Sequence, residues 1–267
     1  MERNETSVKR MLHAIIQGIF DSGRTAVIDG SFFEEISPFV EQSSTLVRSP
    51  EEIVQSLHKI GSEELLDFGC GTGAHRPMLE QIGYRWRGIN YREAMPSQVA
   101  DMAKSDERIL FYDGRLLPFN DSEFDVVYSF QVFEHIQNIA STFSEISRVL
   151  KPGGALVGSV AYLEQIHDYS TFNFTPYGLK LACKEAGLRL VKLYPRFDVF
   201  TFLLRRLLVV TSASDDNSLT YELSVDNAVG KAIVDYGARL GIGPVRTNLL
   251  RMMFSTNFTF HVERMVS

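Results

Sequence analysis

The chain has 267 residues, 45% of them hydrophobic and 22% charged, a balance that supports a substantial buried core and argues against long disorder. Its formal net charge of −6 disfavours a general binder of phosphate backbones, which needs a basic face, and no nucleic-acid substrate is expected. The two cysteines, Cys70 and Cys183, offer neither metal-ligand spacing nor a disulfide framework, which suits a reducing cytosol.

The start, Met1-Glu2-Arg3-Asn4-Glu5, mixes charges and is not followed by a signal-peptide core. Val8, Met11, Leu12, Ile15, Ile16 and Ile19 then recur at helical spacing, and Asp21-Ser22-Gly23 ends the run. Phe32, Phe33, Ile36, Phe39 and Val40 form a second apolar stripe. A further helix is announced by Ser49 as N-cap, Pro50 in the first turn and Glu51 and Glu52 at the positive end, with Gly61 as its stop. Packing on the core is the expected role of these segments, and a cap over an active site is the alternative.

Leu65 to Phe68 is a short apolar run that stops on Gly69-Cys70-Gly71-Thr72-Gly73. A strand feeding a glycine turn and then a helix presents backbone N–H groups to a nucleotide-like ligand. Gly69 and Gly71 let the chain turn sharply and approach that ligand with no Cβ in the way, and Gly73 sits where helix and strand pack closely. Cys70 reads as a small residue that fits the turn. The triplet leaves the cofactor open, because Gly69-x-Gly71-x-x-Ala74 also fits the loose dinucleotide pattern.

The next helix is expected to run to about Ile82 and to end at Gly83, with His75 and Arg76 in its first turn. His75 reads as a surface or capping residue or as a ligand contact. Tyr84 to Ile89 is the second strand, and Asn90 stands at its tip, where nucleotide sites carry an acid about 20 residues after the first glycine to hold ribose hydroxyls. An amide accepts from one hydroxyl and donates to the other, whereas a carboxylate accepts from both. A weaker grip, or help from Glu93, is expected.

Ile109 to Tyr112 is a third strand, ending at Asp113-Gly114, and Phe124 to Ser129 a fourth. A helix with Ile136, Ile139, Phe143, Ile146, Val149 and Leu150 on one face closes on Lys151-Pro152-Gly153-Gly154, and Ala155 to Val160 is the fifth strand. The rhythm implies an α/β fold with a doubly wound, mostly parallel sheet whose ligand lies at the carboxyl edge. Gly69, Asn90, Asp113 and the residues from Ser129 onward fall on that edge.

Five signals in this order carry a resemblance: Leu66-Asp67-Phe68-Gly69-Cys70-Gly71-Thr72-Gly73, Leu117-Pro118-Phe119, Phe124-Asp125-Val126-Val127, Glu134-His135-Ile136, and Glu145-Ile146-Ser147-Arg148-Val149-Leu150-Lys151-Pro152-Gly153-Gly154. The chain resembles the class I S-adenosylmethionine (AdoMet)-dependent methyltransferases, nearest the small-molecule branch of ubiquinone and menaquinone methylation enzymes. The resemblance implies a Rossmann-like seven-stranded sheet with an antiparallel last strand, and AdoMet in place of NAD. It implies that Gly69, Gly71 and Gly73 line the methionine part of the cofactor, with Asp67 organising the loop and the cofactor's ammonium. Asn90 matches the ribose position, Asp113 the acceptor for the adenine amino group with Gly114 beside it, and Phe130 and Gln131 the surroundings of the amino-acid moiety and methyl group.

The likeness continues more weakly through His167-Asp168-Tyr169, Phe172 to Leu179 and Ala186-Gly187-Leu188 to a sixth strand, Arg189 to Tyr194. Phe254 to Val262 is then the seventh strand, and Arg196 to Met253 a helical insertion serving as lid or oligomer surface. The domain reading is a helical cap at 1–62, an AdoMet-binding core at 63–195, the insertion at 196–253 and the last strand at 254–267.

A sulfonium is already an activated electrophile, so such a protein mainly holds an acceptor in line and excludes water. No metal is expected. A hydroxyl acceptor gains from a base, for which His135 and His167 stand at the carboxyl edge; each also suits a capping or packing role. Asp168, Tyr162 and Tyr169 come next, and Phe172, Phe174 and Tyr177 fit an acceptor pocket or the core. The expected activity is methyl transfer to a small-molecule or sugar-containing metabolite at oxygen. The alternatives are a catalytically silent partner subunit, for which Asn90 speaks, and a cyclisation. Val199 to Val210 is too short for a span and carries Arg205 and Arg206, so a cytoplasmic protein without a transmembrane segment is expected; it leaves a lipid-linked acceptor open, and a homodimer is compatible with the reading.

Overall fold

The computed structural model describes residues 10–11, 14–15, 17–18, 33–43, 49–59, 61, 63–94, 101, 106–164, 169–211 and 228–266. His167, Asp168, Phe32, most of the expected first helix and its Asp21-Ser22-Gly23 stop lie outside them. Of that helix, Met11 and Ile15 are described and exposed.

The chain divides into two compact units, one of Arg48–Tyr194 with Thr259–Ser267, the other of Met1–Val47 with Pro195–Phe258. The first carries the sheet. Its strands are β1 (Glu63–Phe68), β2 (Tyr84–Tyr91), β3 (Ile109–Tyr112), β4 (Phe124–Phe130), β5 (Leu150–Ala161), β6 (Leu188–Pro195) and β7 (Asn257–Arg264). The order is β3-β2-β1-β4-β5-β7-β6, parallel from β3 to β5 and antiparallel in the last strands. From β1 the strands run outward as β2 and β3 on one side and as β4 and β5 on the other, so the crevice at the carboxyl ends of β1 and β4 is the topological switch point.

Parallel strands are covered on both faces and read as continuous apolar runs. Leu65, Leu66 and Phe68 on β1 and Phe124, Val127 and Tyr128 on β4 are accordingly buried. Phe133 ties the strands together, its ring 5.6 Å from Phe68, 4.8 Å from Phe143 and 6.1 Å from Phe260.

Helices α1 (Pro50–Leu57), α2 (Arg76–Ile82), α3 (Ile139–Val149) and α4 (Pro176–Glu185) belong to this unit. The N-cap of α1 is as the sequence predicts, a capping box in which Ser49 Oγ accepts from Glu52 N at 3.3 Å and Ser49 N donates back to Glu52 at 3.1 Å. Its end is earlier than the Gly61 stop. His58 leaves the helix in extended conformation, held by Glu63 at 2.9 Å and by the Tyr84 ring at 4.8 Å. Strand β5 begins at Leu150 rather than Ala155, because Phe124 pairs with Leu150 and Val126 with Ala155, and the Lys151-Pro152-Gly153-Gly154 turn forms the irregularity between.

The Glu145–Arg148 pair on α3 explains two of the sequence signals together. Arg148 donates to the carbonyls of Leu117 at 3.0 Å and Phe119 at 2.8 Å and pairs with Glu145 at 2.7 Å, while Glu145 accepts from Leu117 N at 2.8 Å. The Leu117-Pro118-Phe119 loop is thereby fastened to α3.

In the second unit lie a 3-10 turn, Ser37–Phe39, and helices α5 (Val199–Thr211), α6 (Ala228–Leu240) and α7 (Pro244–Met253). The described residues of the insertion between β6 and β7 are largely helical, as expected, whereas the described part of the stripe around Phe39 forms turns and that short 3-10 stretch. Val229, Ala232 and Ile233 pack with Leu250 and Phe254, and Asn248 Nδ2 donates to the carbonyls of Glu41 and Ser43, both at 2.8 Å. Phe254 is the C-cap of α7, and the strand expected from it starts at Asn257.

Candidate functional site

The loop from Gly69 to Gly73 leaves β1 in a conformation open almost only to glycine, with φ of 78° at Gly69, 58° at Gly71 and 84° at Gly73. Its path is fixed from β2, since Gly69 N and Cys70 N donate to Ile89 O at 2.8 and 3.3 Å. A Cβ on Gly69 would overlap the Val132 side chain, whereas one on Gly71 would meet no atom within 4 Å. The loop is closed beneath Gly69 and open at Gly71.

Under this loop Asp67 is 1% exposed and accepts from Trp86 Nε1 at 3.0 Å. Desolvation pushes its carboxyl up to about 7, opposed by the Trp86 hydrogen bond. Cys70 fills the space that Gly88 leaves: a Cβ on Gly88 would stand 2.6 Å from its sulfur. Burial raises the Cys70 thiol well above its ordinary value, so it is packing rather than a nucleophile. Asn90, 1% exposed, turns toward the loop: Gly71 N donates to its Oδ1 and its Nδ2 donates to Gly71 O, each at 2.8 Å.

At the end of β3, Asp113 is exposed and accepts from Arg115 N at 3.0 Å. Gly114 next to it has φ of 79°, and its missing Cβ makes room for the Tyr91 ring. The Tyr91 hydroxyl donates to Glu93 at 2.8 Å. At the end of β4 Phe130 is half-buried, and Gln131 adopts a left-handed φ of 54°. Gln131 N donates to Ser159 O at 3.0 Å and its Nε2 to Ser159 Oγ at 3.3 Å, while its buried Oε1 accepts from no donor among the described residues. The following turn buries Glu134, which accepts from Ala161 N at 3.2 Å and whose carbonyl takes Thr171 N at 2.8 Å. His135 in the same turn is half-buried.

The structure therefore brings Asp67, the three glycines, Asn90, Asp113, Gly114, Phe130, Gln131 and His135 to the carboxyl edge of one sheet. His167 lies outside the described residues. Sequence reasoning missed a cluster beside the glycine loop: the His75 ring lies 5.0 Å from Phe130 and 5.3 Å from Tyr128, and the Tyr128 hydroxyl donates to Glu51 of α1 at 2.9 Å. Burial lowers the His75 pKa, with Glu51 opposing. The signal for it was the i, i+2 pair Tyr128 and Phe130 at a strand end. Among the described residues no group of His, Cys, Asp or Glu could hold a metal ion, and no helix is long and apolar enough to cross a membrane.

A nucleoside with a charged amino-acid tail fits these residues. The open side of Gly71 gives room for close approach, Asp113 offers an exposed acceptor two strands away, and the Gln131 oxygen offers a second that awaits a donor.

Comparison with known proteins agrees. Residues 66–158 match the methyltransferase domain family model. The chain is 32% identical over 196 residues to sterol 4-C-methyltransferase strm-1 of Caenorhabditis elegans, which takes in 66% of this chain and 57% of that protein. It is 28% identical over 131 residues to 27-O-demethylrifamycin SV methyltransferase of Amycolatopsis mediterranei, 47% of each. The crystal structure of the [4+2]-cyclase SpnF shares the fold, with a TM-score of 0.52 at 17% identity over 98% of this chain and 97% of that one. The chain spans about half the length of the curated relatives it matches. The matched span runs from the strand that feeds the glycine loop to β5, and over it the chain carries a methyltransferase domain similar to those of the class I S-adenosylmethionine-dependent methyltransferases.

Proposed function

We propose that this chain transfers a methyl group from AdoMet to a small-molecule or sugar-containing acceptor, at oxygen. The observation that carries the proposal is the pairing of a glycine loop open at Gly71 with an exposed carboxylate, Asp113, on the same sheet edge. When bound, AdoMet supplies an electrophilic methyl group. Gly69, Gly71 and Gly73 let the backbone approach it, Asp67 and Gln131 accept from its ammonium side, Asp113 accepts from the adenine amine, and Phe130 excludes water near the reacting atoms. Support for oxygen comes from His135, a half-buried imidazole just past β4, a residue type suited to take the proton from a hydroxyl acceptor. One relative is named for methylation at carbon and another for methylation at oxygen, so the choice of oxygen rests on that imidazole. His167 is proposed as the second candidate base.

Calorimetric titration with S-adenosylhomocysteine tests the reading. Binding in the micromolar range is expected, weakened about 10- to 100-fold in Asp113→Ala by loss of one hydrogen bond to a charged group. A wild-type protein that binds neither S-adenosylhomocysteine nor AdoMet would overturn it. With binding in hand, a hydroxyl acceptor found by screening for S-adenosylhomocysteine release should lose turnover, at unchanged cofactor affinity, in His135→Gln.

A further inference from the structure

We infer that Asn90 is a positioning residue that locks the glycine loop, rather than a ligand of the ribose hydroxyls. The inference rests on the reading of the loop as the AdoMet site and assigns this chain's departure from an acid at that position a physical role. Gly71 offers one N–H and one C=O, and the Asn90 amide meets both at 2.8 Å. Only one orientation of the amide satisfies that pair. The single thiol proton of Cys70 is shared between this Oδ1 and Gly71 O, each 3.7 Å from the sulfur. The strong donor of Gly71 occupies Oδ1, and one of the two Nδ2 hydrogens is used. A ribose diol needs acceptors for two O–H groups, and Asn90, 1% exposed with its one acceptor oxygen already engaged, does not supply them.

The amide is the group this job requires. Gly71 has φ of 58°, and no side chain of its own holds that conformation. An ionised carboxylate at position 90 would accept from Gly71 N–H but set its second oxygen against Gly71 C=O with no proton between. A protonated one restores the reciprocal pair. A ribose ligand behaves the opposite way, since the diol prefers the ionised acid. Asn90→Asp therefore separates the two roles by the sign of its pH dependence.

Titratable groups around position 90 are Cys70 and Asp67 on the β1 side, Asp106 ahead of β3, Tyr112 and Asp113 at the end of β3, and Tyr91 and Glu93 on the β2 side. They are present in wild type and variant alike, so the quantity to read is the ratio of the two affinities at each pH. For S-adenosylhomocysteine measured by calorimetry, the lock predicts that Asn90→Asp binds about tenfold or more weakly than wild type at pH 7.5 and that the deficit closes toward pH 5.5. Equal or tighter binding by the variant at pH 7.5, or a deficit that does not change with pH, overturns it.

A second measurement needs no cofactor. Hydrogen exchange at the Gly71 amide should be protected in the wild-type apoprotein and lose that protection in Asn90→Ala, with amides in β4 unchanged. A Gly71 amide that exchanges freely in wild type overturns the lock even if the Asp variant does not fold. Failure of the wild type to bind S-adenosylhomocysteine would instead sink the cofactor reading and leave the exchange result to decide the lock by itself.

Discussion

Replacing Asp67 by asparagine should change the pH dependence of stability in a way that can be worked out from its burial. Asp67 lies in β1 at 1% exposure, and desolvation holds its proton until about pH 7, with the Trp86 indole pulling the other way. In the unfolded chain the same carboxyl ionises near its ordinary value of 3.8. Between those two values the unfolded state binds fewer protons than the native state, so the wild type loses stability as pH rises through the window and levels off above it. At about 1.4 kcal/mol per pH unit the whole window is worth on the order of 4 kcal/mol. Asp67→Asn keeps an acceptor for Trp86 Nε1 and has no proton to lose. The unmatched amide hydrogens add a cost, but it is the same at every pH. Variant minus wild-type stability should therefore climb by about 4 kcal/mol from pH 4 to pH 8, which for a chain of this size is on the order of 10 °C in Tm. Urea titrations at five pH values across that range read it directly. A difference that is flat in pH would refute the argument, because it would mean that Asp67 titrates alike in both states.

Two further substitutions test the supports of the site. Gly69→Ala should abolish S-adenosylhomocysteine binding and lower stability by about 2–3 kcal/mol, because the residue has φ of 78° and its Cβ would overlap Val132; Val132→Ala in the same chain should recover part of the loss by thermal melt, and no recovery would refute the overlap. Arg148→Met should cost about 1–3 kcal/mol and also reduce acid sensitivity. The Arg148 hydrogen bond holds the Glu145 carboxyl below its ordinary value, so that pair stabilises the fold above the ordinary carboxylate range and the benefit is lost as pH falls through the lowered value. Equal acid sensitivity in variant and wild type would count against it.

Elements that are legible in the sequence are those whose side chains and backbone conformation answer to one local cause. The strand-glycine-helix passage at Leu65 to Ile82 is such a case, because the apolar run, the glycines and the helix starting at Arg76 each constrain the same few residues. The capping box of α1 is another. Legibility fails where a long-range contact decides. Gly61 is a plausible helix stop, but His58 leaves the helix first because Glu63 and Tyr84 hold its ring. The direction of the Asn90 side chain is hidden for the same reason, since it depends on a peptide 19 positions away. The Tyr128–Glu51 bond joins residues 77 apart, and nothing in either local pattern announces it.

Those hidden contacts share a logic. A loop with three residues at positive φ has more unfolded conformations to lose than any other stretch of equal length, and its upper side must stay open for a ligand, so whatever fixes it has to act from below and from the side. Strand β2 supplies that in three ways: Ile89 O takes the N–H groups of Gly69 and Cys70, Asn90 takes both ends of the Gly71 peptide, and Gly88 gives up a side chain so that Cys70 can pack down. Trp86 extends the same support to Asp67. Alternate residues of one strand face one side of the sheet, which is why Trp86, Gly88 and Asn90 converge on the loop and why a change at any one of them is felt by the other two. An acid in place of Asn90 therefore could not be judged by its affinity for a ribose alone. It has to be judged by what it does to the Gly71 backbone, whose other side-chain contact among the described residues is the weak Cys70 thiol donor to Gly71 O at 3.7 Å.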